Sequence, residues 1–249
     1  MHYLIYAIIV SPNLPEFPDK WLAEVQGINN SQLTTVNSNG LTAIAGKINN
    51  KDVVANTENV LKYATVIDEL FKHYTVLPVR YGTFMDSQMA IGTMMEKHSM
   101  TFKQNLDKVE NKEEFSLKVF WDFEEESKKI RDKMYADEIG SNFPFPGNSQ
   151  SKLYLLQKVK EHRFENALLS YVRKLIDEIC NLVVQFKPDY VFKKMASRTM
   201  ILDAAFLMEK KQEIAFAEAI NPLKKKYGNL RFLLTGPWPP YNFVGFDVK

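Results

Sequence analysis

The sequence predicts an α+β fold: two small α/β domains with antiparallel sheets, joined by a helix. Three observations predict it. The chain has 249 residues, more than the roughly 100–150 that one compact core usually takes. It is 45% hydrophobic and 25% charged with only 10 Gly and 11 Pro, which gives it a core to bury and excludes collagen-like, low-complexity and wholly disordered chains. Finally, strand-like and helix-like stretches follow one another twice in the order βαββαβ, the split pattern whose crossover helices cover a four-stranded antiparallel sheet. The expected boundary leaves an N-terminal α+β domain over 1–110 and a second domain over 111–249.

The first element, Tyr3 to Val10, is a β-branched and aromatic run ended by Ser11-Pro12, which reads as a central strand buried on both faces. Phe17 to Val25 offers a short helix. Gln32 to Val36 and Leu41 to Ile48 flank Asn37-Ser-Asn-Gly40, whose Asn and Gly tolerate the positive φ of a tight hairpin. From Asp52 to Phe71 apolar residues recur at threes and fours, as in an amphipathic helix. A strand over Thr75 to Val79 follows, and then a helix over Ser87 to Asp107 that is expected to link the two halves.

The second half repeats the logic without any residue-level repeat. Glu114 to Trp121 reads as a strand, and Asp122 caps a helix with Glu124-Glu-Glu126 in its first turn, where carboxylates suit the helix dipole. Ser141 to Ser149 is expected to be a loop. A long helix follows from about Leu153 to Gln185, stopped by Pro188. Tyr190 to Met195 and Met200 to Met208 are hairpin strands joined by Ala196-Ser-Arg-Thr199; Gln212 to Tyr227 is a helix stopped by Gly228; Leu230 to Leu234 closes the sheet.

Composition and motifs narrow the chemistry. A formal charge of +2 is too near balance for a chain whose main work is to hold nucleic acid through phosphates. Cys180 is the only cysteine, so no intrachain disulfide and no cysteine-based zinc site can form, and a reduced cytosolic setting is expected. The apolar opening is too short to span a membrane, and no membrane insertion is expected. No glycine-rich nucleotide fingerprint, phosphate loop or nucleophile elbow is present. His2, His73, His98 and His162 are scattered and none is paired at helical metal-site spacing. No catalytic residue, cofactor site or metal site is therefore expected. Lys224-Lys-Lys226 ends a helix, where cations meet exposed carbonyls. Met85, Met89, Met94, Met95 and Met100 lie within sixteen residues, and read either as core filler or as an adaptable apolar surface.

Two segments are less ordinary. Thr75-Val-Leu-Pro-Val-Arg-Tyr-Gly-Thr-Phe84 sets a proline inside a strand, which predicts an edge or a bulge and places Arg80 near a sheet end. Arg80 there either ties the strand to the next helix through a carboxylate or carbonyl, or binds a partner. Leu233-Leu-Thr-Gly-Pro-Trp-Pro-Pro-Tyr-Asn-Phe-Val244 is an extended segment stiffened by three prolines, displaying Trp238, Tyr241 and Phe243 with little conformational freedom to lose. It forms a clasp that either closes the core or a domain seam, or contacts another protein.

These two segments resemble the signatures of a known family. Thr-Gly-Pro-Trp-Pro-Pro-Tyr-Asn-Phe-Val at 235–244 is similar to the C-terminal motif of the GvpF/GvpL gas vesicle accessory proteins, and Val76-Leu-Pro-Val-Arg-Tyr-Gly-Thr-Phe84 to their midchain motif. Tyr3-Leu-Ile-Tyr6, Leu153-Tyr-Leu155 and Asp203-Ala-Ala-Phe-Leu207 fall in the expected order, so the resemblance spans nearly the whole chain. It departs at Asn56-Thr-Glu-Asn59, where a His-Glu pair often opens the helix, and at Tyr81, where Phe is usual. The resemblance implies at least one ferredoxin-like domain, the C-terminal one included, and a non-enzymatic assembly protein of the cytoplasm and the gas vesicle, one that binds the shell protein and helps nucleate the vesicle or line it. Its implied partners are the small apolar shell protein and other gas vesicle accessory proteins. The cation near a sheet end and the rigid aromatics of the clasp make Arg80, Trp238, Tyr241 and Phe243 the expected partner-binding residues. The rival expectation is an enzyme that binds a small ligand or nucleotide on a ferredoxin-like scaffold, since one architecture hosts unrelated functions.

Overall fold

The computed structural model describes residues 2–11, 24–48, 53–139, 150–193 and 197–245. The helix expected over Phe17 to Val25 lies outside them except for its last two residues, as do the Ser141 to Ser149 loop and residues 194–196 of the second hairpin, which include the end of the strand expected over Tyr190 to Met195.

Strand β1 (His2–Val10) is the axis of the first sheet. Every residue from Leu4 to Ile9 is fully buried, which a strand with alternating side chains allows only when both of its faces are covered. β2 (Leu33–Ser38) and β3 (Leu41–Ile48) form the expected hairpin, turned by Asn39 and Gly40 at φ 52° and 76°. That pair of positive φ values is what a two-residue loop between twisted strands requires. β4 (Val76–Pro78) completes the order β2-β3-β1-β4, with every pairing antiparallel. Pro78 thus stands on the outer strand, where its missing N–H leaves no ladder bond unmade. A two-residue strand, β5 (Phe84–Met85), returns to the same side of β1, with Leu4 opposite Phe84.

Helix α1 (Thr57–Phe71) starts five residues later than the periodicity suggests, because Asn56 caps it by accepting the Asn59 amide at 2.8 Å. Its Tyr63, Val66, Ile67 and Leu70 pack into one cluster with Leu4, Tyr6, Ile9 and Ile44. Helix α2 (Gln88–Val109), capped by Ser87, does more than link the halves: it lies against the strands of this sheet and buries Ile91, Met94, Met95 and Phe102. The methionine cluster accordingly splits. Met94 and Met95 fill the core, while Met89 and Met100, off that face by the helical period, are exposed.

Asn111, at φ 55°, turns the chain into β6 (Lys112–Phe120). After α3 (Phe123–Ile139) and α4 (Gln150–Val183) come β7 (Asp189–Phe192), β8 (Met200–Glu209), α5 (Glu213–Ala219), α6 (Asn221–Lys226) and β9 (Arg231–Trp238). The strand order is β7-β8-β6-β9, the same second-third-first-fourth arrangement as in the first sheet. Asp122 caps α3 as expected, accepting the Glu125 amide at 3.0 Å. The single helix expected over Gln212 to Tyr227 is instead two, because Pro222 sits in the first turn of α6 and cannot supply the amide that would continue α5. β9 also runs four residues past Leu234, into the clasp.

The chain forms two compact units. The first comprises Met1–Phe115, Leu207–Lys211 and Thr235–Lys249; the second comprises Ser116–Phe206 and Gln212–Leu234. The C-terminal segment is thus part of the first unit, not of the domain expected over 111–249.

Candidate functional site

The clasp is held at three points within the first unit. Gly236 has φ +128°, and a Cβ there would stand 2.8 Å from the Glu114 carbonyl oxygen and 3.0 Å from the Phe115 ring. Only glycine fits that approach. The Glu114 side chain, 3% exposed, accepts the Asn242 amide at 2.8 Å through Oε2 and the Asn242 side-chain amide through Oε1. Phe243 is buried, and its carbonyl accepts Lys108 Nζ at 3.3 Å while the same ammonium lies 5.9 Å from its ring centre. Pro239 and Pro240 are buried between these anchors. Trp238 stays exposed, its indole N–H donating to Thr235 Oγ1 at 3.3 Å.

Tyr241 is two-sided. About 41% of the residue is open, yet burial of its hydroxyl, followed by the nearby carboxylates of Asp68 and Glu114, drives the phenol far above its ordinary pKa. Burial also raises Asp68, with Lys72 opposing and Glu69 adding to the shift. Tyr241 is therefore a neutral phenol and a ring surface at any physiological pH.

Tyr63 ties the midchain motif to β1. Its hydroxyl donates to the Val79 carbonyl at 2.6 Å and lies 3.0 and 3.3 Å from the carbonyls of Ile5 and Tyr6. Its ring stacks on Tyr6 at 4.9 Å and meets Tyr81 edge-on at 5.1 Å. Burial, chiefly, holds the Tyr63 phenol well above its usual pKa. The Tyr81 hydroxyl donates to the Val54 carbonyl at 3.1 Å, a contact that Phe at this position would lack. Between β4 and β5 the chain bulges out over residues 79–83, closed by Thr83 donating through its amide and hydroxyl to the Arg80 carbonyl at 3.2 and 2.7 Å, with Gly82 at φ +83°.

Arg80 stands exposed on that bulge, and among the described residues no carboxylate lies within ion-pair distance of it. Of the four residues singled out from sequence, Trp238 and Tyr241 present surface, Phe243 is an internal anchor, and Arg80 is an exposed cation on a separate loop. Glu114 and Asp68 escape sequence reasoning, and Tyr63 is legible there only as a position on the apolar face of its helix, not by the reach of its hydroxyl. An acidic residue at the start of a strand reads as surface, and the only hint of burial is its place in a period-2 run leading to Phe115. Among the described residues no group of three or more His, Cys, Asp or Glu side chains is placed to hold a metal ion, and no helix is long and apolar enough to cross a membrane. What the arrangement offers is a rigid aromatic display.

Comparison with known proteins bears on the family and the fold. Gas vesicle protein F1 of Halobacterium salinarum is 21% identical, covering 90% of this chain and 87% of its own. Gas vesicle protein F of Dolichospermum flosaquae is 24% identical, covering 78% and 80%. The fold matches two crystal structures of GvpF: that from Anabaena sp. PCC7120, with TM-score 0.83, 19% identity and 99% of both chains covered, and that from Microcystis aeruginosa, with TM-score 0.80, 18% identity and 98% of this chain and 99% of that one covered. The family model described as gas vesicle synthesis protein GvpL/GvpF matches residues 2–245, end to end across both sheets and the clasp, so the chain belongs to the GvpL/GvpF family.

Proposed function

We propose that this protein is a non-catalytic gas vesicle assembly factor that binds the small apolar shell protein before and during its assembly, in the cytoplasm and at the vesicle. Family membership supports the process. The observation that carries the binding role is the contrast inside the clasp: Gly236, Asn242 and Phe243 are pinned by close packing, a buried carboxylate and a lysine, while Trp238 and Tyr241 are left open to solvent. Aromatic rings held rigid and half-exposed lose little freedom on binding, which is the property of an interface anchor. A shell subunit with a strongly apolar face aggregates through that face unless something covers it. Arg80, on its own exposed bulge, adds a cation able to meet a carboxylate of the same partner.

The test is a pull-down between the purified protein and the shell protein, repeated with Trp238→Ala, Tyr241→Ala and Arg80→Ala. Binding is expected to fall most for Trp238→Ala. Full binding by folded forms of all three variants would remove the site, and no binding by the natural protein would remove the partner. Quantifying the protein in washed vesicles tells whether it leaves after assembly or remains.

A further inference from the structure

Strand β7 lies at the edge of the second sheet, and all four of its residues are exposed. Three of the four are not the charged or broken residues that usually blunt an edge: Tyr190, Val191 and Phe192 are 57%, 38% and 46% open. The backbone orientation of this edge is also determined. The Lys193 amide donates inward to the Asp203 carbonyl of β8 at 2.8 Å. By the two-residue alternation of a strand, Val191 and Asp189 also point their backbone groups at β8, whereas Tyr190 and Phe192 point theirs outward. Pro188, next on the outward-facing set, has no N–H and ends the free ladder.

The strand with its flanking residue reads Asp189-Tyr-Val-Phe-Lys193, which is self-complementary in the antiparallel sense. Laid against a second copy with Val191 opposite Val191, Tyr190 stands opposite Phe192 and Asp189 opposite Lys193, each pair occurring twice. The outward amides and carbonyls of Tyr190 and Phe192 then supply four inter-strand hydrogen bonds, and Val191 occupies the non-hydrogen-bonded site on the axis. Tyr190 and Phe192 already meet edge-on at 5.3 Å, and the pairing makes of them a four-ring cluster on one face. On the other face, two Asp189–Lys193 pairs flank the valines. Register, backbone direction and charge thus agree on one occupant. We propose that β7 is a self-association edge, at which two copies of this chain join their second sheets about a two-fold axis at Val191. Four ladder bonds and three apolar residues a side make an interface smaller than the ~1,600 Å² of a standard stable one, so the pair forms at high local concentration.

Two experiments on the full chain test this. In a Cys180→Ser background, Val191→Cys is expected to cross-link to a dimer with diamide, because facing residues at a non-hydrogen-bonded pair fall within disulfide reach. Tyr190→Cys, which faces Phe192 instead of itself, is expected not to. Equal cross-linking of the two, or none for Val191→Cys, overturns the register. Sedimentation equilibrium of the natural protein up to about 1 mM is expected to show a monomer–dimer equilibrium, weakened about tenfold by Asp189→Lys or by Lys193→Asp alone. An equimolar mixture of these variants restores it as a heterodimer, as does the double reversal in one chain. Far-UV circular dichroism confirms that each variant is folded. A natural protein monomeric throughout, or charge reversals without effect singly and in mixture, overturns the proposal, as does pairing of β7 only with the strand of a different protein.

Discussion

The clasp and the Arg80 bulge are both irregular segments that lift polar or aromatic side chains out of the first unit, yet they are secured in different ways. The clasp depends on side chains distant in sequence: Asn242 reaches Glu114, and Phe243 meets Lys108. The bulge depends on local backbone, the turn from Arg80 to Thr83, and on one reach of Tyr63 to the Val79 carbonyl. A segment pinned by specific side chains holds its exposed rings in one place but tolerates few substitutions. One closed by backbone tolerates many and holds its exposed residue less firmly. This is why the rigid aromatics are the stronger candidates for binding, with Arg80 an accessory to them.

The glycines of the two segments give the largest contrast. Gly236→Ala forces a residue at φ +128° to place its Cβ 2.8 Å from backbone, and is expected to cost about 3 kcal/mol or more through strain and displacement of the clasp. Gly82→Ala, at φ +83° with nothing nearer than the Phe84 ring at 4.0 Å, is expected to cost only the ~1 kcal/mol of a left-handed residue. Urea unfolding of both variants measures the difference. Equal costs would mean that the clasp is no more tightly held than the bulge.

Next in size is Glu114→Ala, which leaves two Asn242 donors without their charged acceptor and is expected to destabilise by about 2 kcal/mol. Limited proteolysis should then cut first within 235–245. If the tail stays protected while stability falls, Glu114 matters to β6 and not to the clasp.

Much of this was legible beforehand, and the boundary of legibility follows physical range. The two-residue alternation, the helical spacing of Tyr63, Ile67 and Leu70, and the Asn39-Gly40 turn are local facts, and they carry the succession of strands and helices along both halves, while the order of strands within each sheet is a long-range fact. Pro222 was equally local, and reading past it merged α5 with α6. The pairing of Glu114 with Asn242 joins residues 128 apart, and nothing in either neighbourhood announces the other. The same holds for the membership of the tail in the first unit. Display by Trp238 was foreseen from the proline-stiffened segment, but burial of Phe243 two residues beyond Tyr241 depends on Lys108 and on the packing around it.

Tyr63→Phe tests how the bulge is tied to β1. It removes the hydroxyl that reaches Val79 and is expected to cost about 1–1.5 kcal/mol near neutral pH. A pH dependence separates it from a simple packing change. Burial, chiefly, holds the folded phenol well above the ordinary 10.0 of tyrosine, so the unfolded chain gives up this proton first. The stability it confers is complete below pH 10 and is lost as pH rises beyond it. The natural protein should therefore weaken more steeply than Tyr63→Phe above pH 10, and parallel curves would remove Tyr63 from the account.

The smallest effect expected is also the one specific to this chain. Tyr81→Phe restores the residue usual at this place in the resembled motif and deletes the bond to the Val54 carbonyl. The bond is exposed to water, which replaces much of what is lost, so the cost is expected to be about 0.5 kcal/mol. The edge-on contact with Tyr63 at 5.1 Å is kept. Hydrogen exchange should show the loss locally, as faster exchange near Val54 with the amides of β4 unchanged. If β4 opens as well, the tyrosine hydroxyl supports the bulge itself, and the distinction between a segment closed by backbone and one held by side chains narrows to a matter of degree.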